Sequence, residues 1–418
     1  MKRKQLYPRE RYLSRMRGFV DETEIIKVLS GVRRSGKSSL LLLLADELRD
    51  KGVEEANIVF LNLDKRPYRG IKTPDQLDAL IASKLPNNED TVYLFLDEIQ
   101  NVDGFEGVVN AYREEGNISL FLTGSNSYLL SGELATKLTG RYVLFEIETL
   151  TFPEYLDMKH FLGLATAEPH EEFQNYLREG GFPYAIHLPS KEEKDLYLEN
   201  LTREIFEKDI YARAKIRDRA LFENVSRFII NNFGATVSVD KLCAALKRDG
   251  KTPSKRTVYR YLELLQSAKI IARCPRFDLK SKRSLSGEEK YYLSDLGFYF
   301  ARNVDHRINY GPVLENVVYA FGKASGLSMS VGKIGKAEVD FIARKGTDYA
   351  YLQVAMTIYG GEEDDRGIPM LENREYRPLE AIRDNYPKIV LTLDTLLQRR
   401  GGIRHENLVD WMLNGGTI

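Results

Sequence analysis

The sequence predicts an α/β protein with several domains. A chain of 418 residues is too long for one ordinary hydrophobic core, and two to four domains are expected. The loop GVRRSGKSS, residues 31–39, stands between an apolar strand pattern and a helix pattern. From residue 311 onwards, the order of patterns is helix, three strands, helix and strand. These observations predict parallel strands at the start of the chain and a second α/β domain at its end.

The composition is that of a soluble globular protein, with 43% hydrophobic residues, 29% charged residues and a formal net charge of zero. No apolar run approaches the roughly 20 residues of a membrane span, and the first residues have no apolar core typical of a signal peptide. Cys243 and Cys274 are too few for a disulfide framework or a zinc site. We therefore expect a cytoplasmic protein with two buried thiols and no membrane partner.

The first motif fits G-x-x-x-x-G-K-[ST] from Gly31 to Ser38. In such a loop the backbone N–H groups and the helix N-terminus hold phosphate, Lys37 reaches the β- and γ-phosphates, and Ser38 holds Mg²⁺. The expected nucleotide contacts are Gly31, Val32, Arg33, Arg34, Ser35, Gly36, Lys37, Ser38 and Ser39. The alternative is a glycine-rich surface turn.

The second motif is TVYLFLDEIQNV, residues 91–102, in which a buried strand ends in two acids. Ligands bind at the carboxyl ends of strands in α/β sheets. Asp97 is expected to support Mg²⁺ and Glu98 to polarise the attacking water. The alternative is an acidic strand cap.

A third strand pattern, ISLFLTGSNSYLL, ends in Ser125 and Asn126, where a polar side chain can sense the γ-phosphate. The alternative is a helix N-cap. Arg141 then stands between that helix pattern and a fourth strand.

The order of these parts resembles the AAA+ ATPases, with Walker A at Gly31–Ser38, Walker B ending at Glu98 and a sensor at Ser125/Asn126. The resemblance implies ATP and Mg²⁺ as cofactors, ATP hydrolysis, and catalytic roles for Lys37, Glu98, Asn126 and Arg141. Arg141 occupies the place of an arginine finger, acting in cis or in trans, and the alternative is a structural ion pair. The sequence leaves open whether the chain forms a homo-oligomer.

Two later segments, LTFPEYL and YLREGGFPYAI, look like those of a bacterial and archaeal group within this family. Members of that group carry a C-terminal restriction-endonuclease-like domain of unknown function. Gly181, Phe182 and Pro183 fall where related ATPases place a lid motif near the nucleotide. The alternative is a helix stop.

The middle of the chain has a charged helix pattern over 193–216, then three helix patterns and two strands around the tip SKRSLSGEE. In the third helix, apolar residues recur at the spacing of one helix face, at Val258, Tyr261, Leu262 and Leu265. Ser254 is the expected N-cap. Three helices followed by a β-ribbon predict a winged helix.

The charge of this segment favours nucleic acid. Between Lys247 and Arg283 there are twelve Lys or Arg against three Asp or Glu. The basic residues expected on the third helix and the wing are Lys255, Arg256, Arg260, Lys280, Lys282 and Arg283. Double-stranded DNA, bound through phosphate contacts, is the expected partner. The alternative is a winged helix used only for protein packing.

The C-terminal order αβββαβ is that of the PD-(D/E)xK nuclease fold. Asp340 fits its strand carboxylate and Glu315 a further ligand, but Gln353 replaces the second acid and Ala355 the lysine. A nuclease of this kind needs two acids for Mg²⁺ and a lysine for the water. We therefore predict an intact fold with an inactive site.

The predicted organisation is an AAA+-like core over 1–150, a helical lid over 151–216, a winged helix over 217–305 and a nuclease-like domain over 306–418. The predicted function is ATP hydrolysis that couples nucleotide state to DNA or protein binding. Two alternatives remain: an ATP-gated nuclease, and a slow signalling scaffold that would retain ADP.

Overall fold

A computed structural model describes residues 6–124, 140–248, 253–301, 308–360 and 370–418. The chain divides into two compact units. The first contains Met1–Ile147 with Ser267–Lys269, and the second contains Glu148–Gln266 with Ile270–Ile418.

The first unit is built on a parallel sheet, which has five strands among the described residues. Their order across the sheet is β2-β3-β4-β1-β5. The strands are β1 Ile26–Ser30, β2 Ile58–Asn62, β3 Val92–Asp97, β4 Ile118–Gly124 and β5 Tyr142–Glu146. Because β4 lies between β1 and β3, the segments that follow β1 and β3 meet at the end of β4.

Helices cover both faces of this sheet: α1 Glu10–Arg17, α2 Lys37–Asp50, α3 Pro74–Ala82 and α4 Phe105–Glu114. Alternate strand residues enter two separate cores, as the period of two along a strand requires. Leu94 and Leu120 pack with residues of α3 and α4, whereas Phe95 and Phe121 pack with residues of α1 and α2. The rings of Phe95 and Phe121 stack at 4.8 Å.

The second unit begins with three helices, α5 Phe152–Phe161, α6 Pro169–Glu179 and α7 Lys191–Ile205. A π-helical stretch, Phe206–Tyr211, follows α7. Side chains cap the starts of α5 and α7, where Thr151 pairs with Glu154 and Ser190 with Glu193. The later helices are α8 Arg219–Asn231, α9 Val239–Arg248, α10 Lys255–Ser267, α11 Gly297–Phe300, α12 Tyr310–Ala324, α13 Met370–Glu380 and α14 Leu408–Leu413.

The strands of the second unit form one sheet, in the order β13-β14-β12-β11-β10-β9-β7-β8-β6 within the described residues. They are β6 Thr236–Val237, β7 Ile271–Asp278, β8 Arg283–Leu293, β9 Ser328–Ile334, β10 Ala337–Lys345, β11 Asp348–Val354, β12 Lys388–Thr392, β13 Arg399–Arg400 and β14 Ile403–Asn407. The hairpin β7–β8 is antiparallel, and β7 pairs in parallel with β9. This sheet therefore runs across the predicted domain boundary at residue 306.

The first unit has the predicted parallel strands. In the second unit, the helix predicted over 193–216 ends at Ile205 and is followed by the π-helical stretch, and β6, β13, β14 and α14 were not predicted. Of the two cysteines, Cys274 is buried as predicted, whereas Cys243 is only half-buried because it lies on a partly exposed side of α9. Within the described ranges, no helix is long and apolar enough to cross a membrane.

Candidate functional site

The loop between β1 and α2 makes a tight turn immediately before the first residue of α2. Arg34 and Gly36 both have positive φ, 69° and 102°, and Gly36 directly precedes α2. A Cβ at Gly31 would stand 2.2 Å from the carbonyl oxygen of Ile147, so a side chain is excluded there. These features bring the N–H groups of the first turn of α2 to the end of β1.

Lys37 is buried at the base of this loop. Its ammonium donates hydrogen bonds to the carbonyl oxygens of Gly31 and Val32, each at 2.9 Å. The hydroxyls of Ser30 and Ser35 are buried and have no hydrogen-bond partner among the described residues. Buried hydroxyls normally find partners, and a phosphate oxygen is the type of acceptor these donors take. The donor set of the loop therefore fits a nucleotide phosphate.

Asp97 is the centre of a hydrogen-bond network at the end of β3. Its carboxylate is fully buried and accepts from three side chains: Ser38 at 2.9 Å, Asn62 and Thr123. The three donors come from α2, β2 and β4. This arrangement holds the carboxylate of Asp97 beside the hydroxyl of Ser38, which is predicted to bind Mg²⁺.

Glu98 follows directly in the left-handed backbone conformation, with φ of 58°. Its N–H donates to Thr123 Oγ1 at 3.0 Å, and its side chain accepts from the amide of Gln100. Positive φ is costly for a residue with a side chain and persists where its surroundings enforce it. Thr123 bonds both acids, so it fixes their relative positions.

Arg9 also contacts the loop, although sequence reasoning did not identify it. Its buried guanidinium donates to the carbonyl oxygen of Ser35 at 3.1 Å and lies 4.6 Å from the ring centre of Tyr12. Asn62 and Thr123 were missed as well. Their polar side chains at the ends of β2 and β4 were the available signal, because strand ends share one edge of a parallel sheet.

Arg141 lies at the opposite end of the sheet. It precedes β5 beside Ile26 at the start of β1, whereas the loop follows the end of β1. The guanidinium is half-exposed and bonds Asn110 at 3.1 Å, with Glu114 at 3.6 Å. This placement does not bring Arg141 to the nucleotide site of its own chain, and a role in trans stays a prediction. Ser125 and Asn126 lie outside the described residues.

The Gly180–Pro183 segment is packed within the second unit. The N–H of Gly181 donates to Asp295 Oδ2 at 2.8 Å, and the ring of Phe182 meets that of Phe298 at 5.5 Å. A Cβ at Gly180 would stand 2.0 Å from Asp295 Oδ1. Burial raises the pKa of Asp295 to about 6, against the hydrogen bonds from Thr149, Gly297 and Gly181 that lower it. These contacts give the segment a structural role as the end of α6.

The predicted basic residues on α10 and the hairpin lie at the surface. Lys255 pairs with Asp240 at 2.5 Å, and Arg260 donates to the carbonyl oxygen of Lys215 at 3.1 Å. The side chain of Arg256 is exposed and forms no hydrogen bond or ion pair with any described residue. Lys280, Lys282 and Arg283 are exposed at the turn of the hairpin.

Asp340 and Gln353 meet on neighbouring strands of the second unit, as predicted. Asp340 Oδ2 accepts from the N–H of Val354 at 2.8 Å, and Gln353 donates to Glu375 at 3.0 Å. The pairing of β9 and β10 shifts register between Val339 and Ile342, and Asp340 lies within this irregular stretch. Within the described residues, no group of three His, Cys, Asp or Glu side chains is arranged to hold a metal.

A lysine that sequence reasoning did not identify stands beside this pair. Lys290 of β8 lies 3.1 Å from Glu315 and 2.8 Å from Glu338. Burial lowers the pKa of Lys290, but the carboxylates of Glu315, Asp340 and Glu338 outweigh it and raise that pKa above the ordinary lysine value. Burial, together with the charge of Glu315, raises the pKa of Asp340 well above its usual range.

Two family profiles match the sequence. One is described as an AAA domain and matches residues 23–156, which contain the loop, Asp97 and Glu98. The other is described as a domain of unknown function and matches residues 170–305. The predicted boundary between residues 216 and 217 falls inside this second match.

Two relatives are described as uncharacterized proteins. The relative from Haemophilus influenzae is 35% identical over 412 residues, covering 98% of this chain and 99% of that protein. MJ1544 from Methanocaldococcus jannaschii is 30% identical over 300 residues, covering 70% of this chain and 65% of that protein.

The Walker-type ATPase PABY2304 of Pyrococcus abyssi has a similar fold, with a TM-score of 0.52. It is 16% identical, and the match covers 72% of this chain and 96% of that one. At this identity, the similarity extends to the fold alone.

Proposed function

Since the chain belongs to the same family as the Haemophilus influenzae relative and its residues 23–156 match an AAA domain, we propose that it binds and hydrolyses ATP at the end of β1. The observation that carries this proposal is the convergence of Lys37, Ser38, Asp97 and Glu98 on one edge of the parallel sheet. Lys37 supplies a cation to the phosphates, and α2 supplies N–H donors and the positive end of its dipole. Ser38 and Asp97 are the groups that would hold Mg²⁺, which neutralises phosphate charge when bound.

Glu98 has the chemistry of the general base in this site. Its carboxylate is held by Gln100 and lies one residue beyond Asp97, at the strand end where an attacking water would be oriented. Thr123 holds the backbone of Glu98 and the carboxylate of Asp97 at once. We propose that this link fixes the position of Glu98, which activates the water, relative to Asp97, which would hold the metal.

We propose that the nucleotide state changes the binding of a partner by the middle of the chain. Helices α8–α10 and the hairpin β7–β8 have the element order of a winged helix, with an excess of basic residues. Arg256 is the exposed cation on α10 without a described partner, so it is the strongest candidate for a phosphate contact. Double-stranded DNA is the proposed partner, bound through its backbone.

The C-terminal segment is proposed to be a nuclease-like domain without cleavage activity. Its described elements α12, β9, β10, β11, α13 and β12 follow the nuclease order. Ala355 offers no charge at the place of the lysine, and the amide of Gln353 is engaged with Glu375. The residues present therefore do not fit a catalytic Mg²⁺ site.

Equilibrium binding of a fluorescent ATP analogue tests the proposal. Lys37→Ala is expected to abolish binding in the presence of Mg²⁺ without unfolding the chain, whereas Lys51→Ala, at an exposed lysine after the same helix, should bind as the wild type does. Unchanged affinity of Lys37→Ala would contradict the assignment of the loop. Mass spectrometry of the nucleotide released from the purified protein distinguishes ATP hydrolysis with turnover from the scaffold alternative. The scaffold alternative predicts ADP that stays bound through purification.

A further inference from the structure

We infer that the ammonium of Lys290 takes the place of a metal cation in the C-terminal cluster and thereby connects the hairpin β7–β8 to β10 and α12. This inference rests on the proposed nuclease-like nature of that segment, because Glu315 and Asp340 are the acids that such a site would use. The cluster consists of Lys290, Arg276, Glu315, Glu338, Asp340, Gln353 and Glu375.

The geometry around Lys290 is that of an enclosed cation. The residue is 5% exposed, and its ammonium lies between Glu315 of α12 and Glu338 of β10, at 3.1 and 2.8 Å. Tyr292, two residues further along β8, donates its hydroxyl to the same carboxylate oxygen of Glu315 at 2.7 Å. Glu315 is therefore held by two side chains from one face of β8.

The other hairpin strand contributes a second cation. Arg276 of β7 pairs with Glu338 at 3.0 Å through the carboxylate oxygen that Lys290 does not contact. Glu338 thus receives one cation from each strand of the hairpin. Because both strands contact β10 through Glu338, side chains connect the hairpin to the C-terminal strands in addition to the pairing of β7 with β9.

The remaining members show why an ammonium suits this place better than a divalent metal. Gln353 brings no charge, and its carbonyl oxygen faces the N–H of Asp340 at 3.4 Å. Asp340 already accepts from Val354, and Glu315 accepts from both Lys290 and Tyr292. A buried group of acids needs a neutralising charge, and Lys290 supplies it in a form that cannot activate water as a metal does.

Lys290→Met tests this inference because methionine matches the lysine side chain as far as Cε and removes the ammonium. Without the ammonium, Glu315 and Glu338 lose the cation that they contact. We expect a lower Tm than for the wild type, by several degrees, and a partial recovery of Tm with millimolar Mn²⁺ in the absence of nucleotide. The wild type and Lys336→Met, at an exposed lysine of the neighbouring turn, should show no such response to Mn²⁺.

Glu315→Gln provides a second test that does not depend on the folding of Lys290→Met. It should lower the Tm and gain no response to Mn²⁺, since the ammonium stays in place and one acid is lost. Combined with Lys290→Met, it should bring the Tm above that of Lys290→Met alone.

Three results would overturn the inference: an unchanged Tm of Lys290→Met, an unchanged Tm of Glu315→Gln, or saturable binding of Mn²⁺ to the nucleotide-free wild type that Asp340→Ala abolishes. A different result would contradict the proposed absence of nuclease activity. Metal-dependent cleavage of DNA by the wild type, lost in Asp340→Ala, would contradict that proposal, whereas an unchanged Tm of Lys290→Met without any cleavage would contradict only the role of Lys290.

Discussion

The hydroxyl of Ser38 donates a hydrogen bond to Asp97 across 2.9 Å and so joins the first turn of α2 to the end of β3. These residues are 59 positions apart in the chain. Their contact brings a hydroxyl and a carboxylate, two oxygen ligands suited to Mg²⁺, to one place beside the phosphate-binding loop.

Ser38→Ala should therefore raise the concentration of Mg²⁺ needed for ATP hydrolysis. Loss of an oxygen that holds the metal, or orients its ligand, typically weakens metal binding about 10- to 100-fold. The measurement is the ATPase rate over a range of free Mg²⁺ at saturating ATP. Ser83→Ala, at an exposed serine after α3, is the control. A Mg²⁺ dependence of Ser38→Ala equal to that of the control would remove Ser38 from the metal site.

Gly180→Ala should destabilise the second unit much more than Gly163→Ala. Both glycines have positive φ, 72° and 65°, so alanine is strained at either position. At Gly163 a Cβ meets no atom within 4 Å, whereas at Gly180 it collides with Asp295 and the backbone of Gly297. We expect Gly163→Ala to cost about 1 kcal/mol and Gly180→Ala at least about 2 kcal/mol more. Equal shifts of the urea midpoint in the two variants would contradict the packing at Asp295.

Lys27 predicts a dependence of stability on pH in the first unit. It is fully buried on β1, and burial lowers its pKa to about 7 despite the nearby charges of Glu22 and Asp21. The unfolded chain keeps this proton up to about pH 10.5, so the folded state binds fewer protons between the two values. Stability should therefore rise with pH from about 7 to about 10, by up to about 1.4 kcal/mol per pH unit.

Lys27→Met removes this titration and should flatten the rise. Urea unfolding of both proteins at pH 6.5, 8 and 9.5 isolates the contribution of Lys27, since all other groups are shared. Parallel pH profiles of the two proteins would show that Lys27 keeps its charge in the folded state.

Lys255→Glu combined with Arg256→Glu should weaken DNA binding about equally for different sequences and flatten the salt dependence. Each lost phosphate contact lowers the slope of log K against log salt by about 1. Because Lys255 is already paired with Asp240, most of the change should come from Arg256. The control is Lys51→Glu with Lys84→Glu on the first unit, where both lysines are exposed. If the α10 variant bound DNA with wild-type affinity and the wild-type slope of log K against log salt, the basic face of α10 would not be a DNA contact.

The sequence was most informative where function depends on neighbours along the chain. The loop, its strand and its helix are contiguous, so the pattern from β1 to α2 identified Lys37 and Ser38 directly. Asp97 and Glu98 were identified because they directly follow an apolar run that is typical of a buried strand, which places them at the end of that strand. Local periodicity likewise identified the buried face of α10, which contains Val258, Tyr261, Leu262 and Leu265.

Contacts between distant strands were not visible in the sequence. Asn62 and Thr123 reach the site through the order of the strands in the sheet, and Arg9 through the packing of the segment before α1, and no local pattern specifies either. The same holds for Lys290, which seemed to belong to a wing but stands beside Glu315 and Glu338. Pairing of β7 with β9 makes this possible, and one sequence does not reveal which strands pair across a sheet.

The central claim is that Glu98 activates the water that hydrolyses ATP, and the Glu98→Gln variant tests it most directly. The measurement is phosphate release in Mg²⁺, paired with the affinity for a fluorescent ATP analogue. We expect wild-type affinity and a turnover lower by about 10²- to 10⁴-fold, because the amide cannot accept the proton. Glu115→Gln, at an exposed acid after α4, should behave as the wild type. Hydrolysis by Glu98→Gln at the wild-type rate, or a wild type that binds ATP and releases no phosphate, would contradict the account.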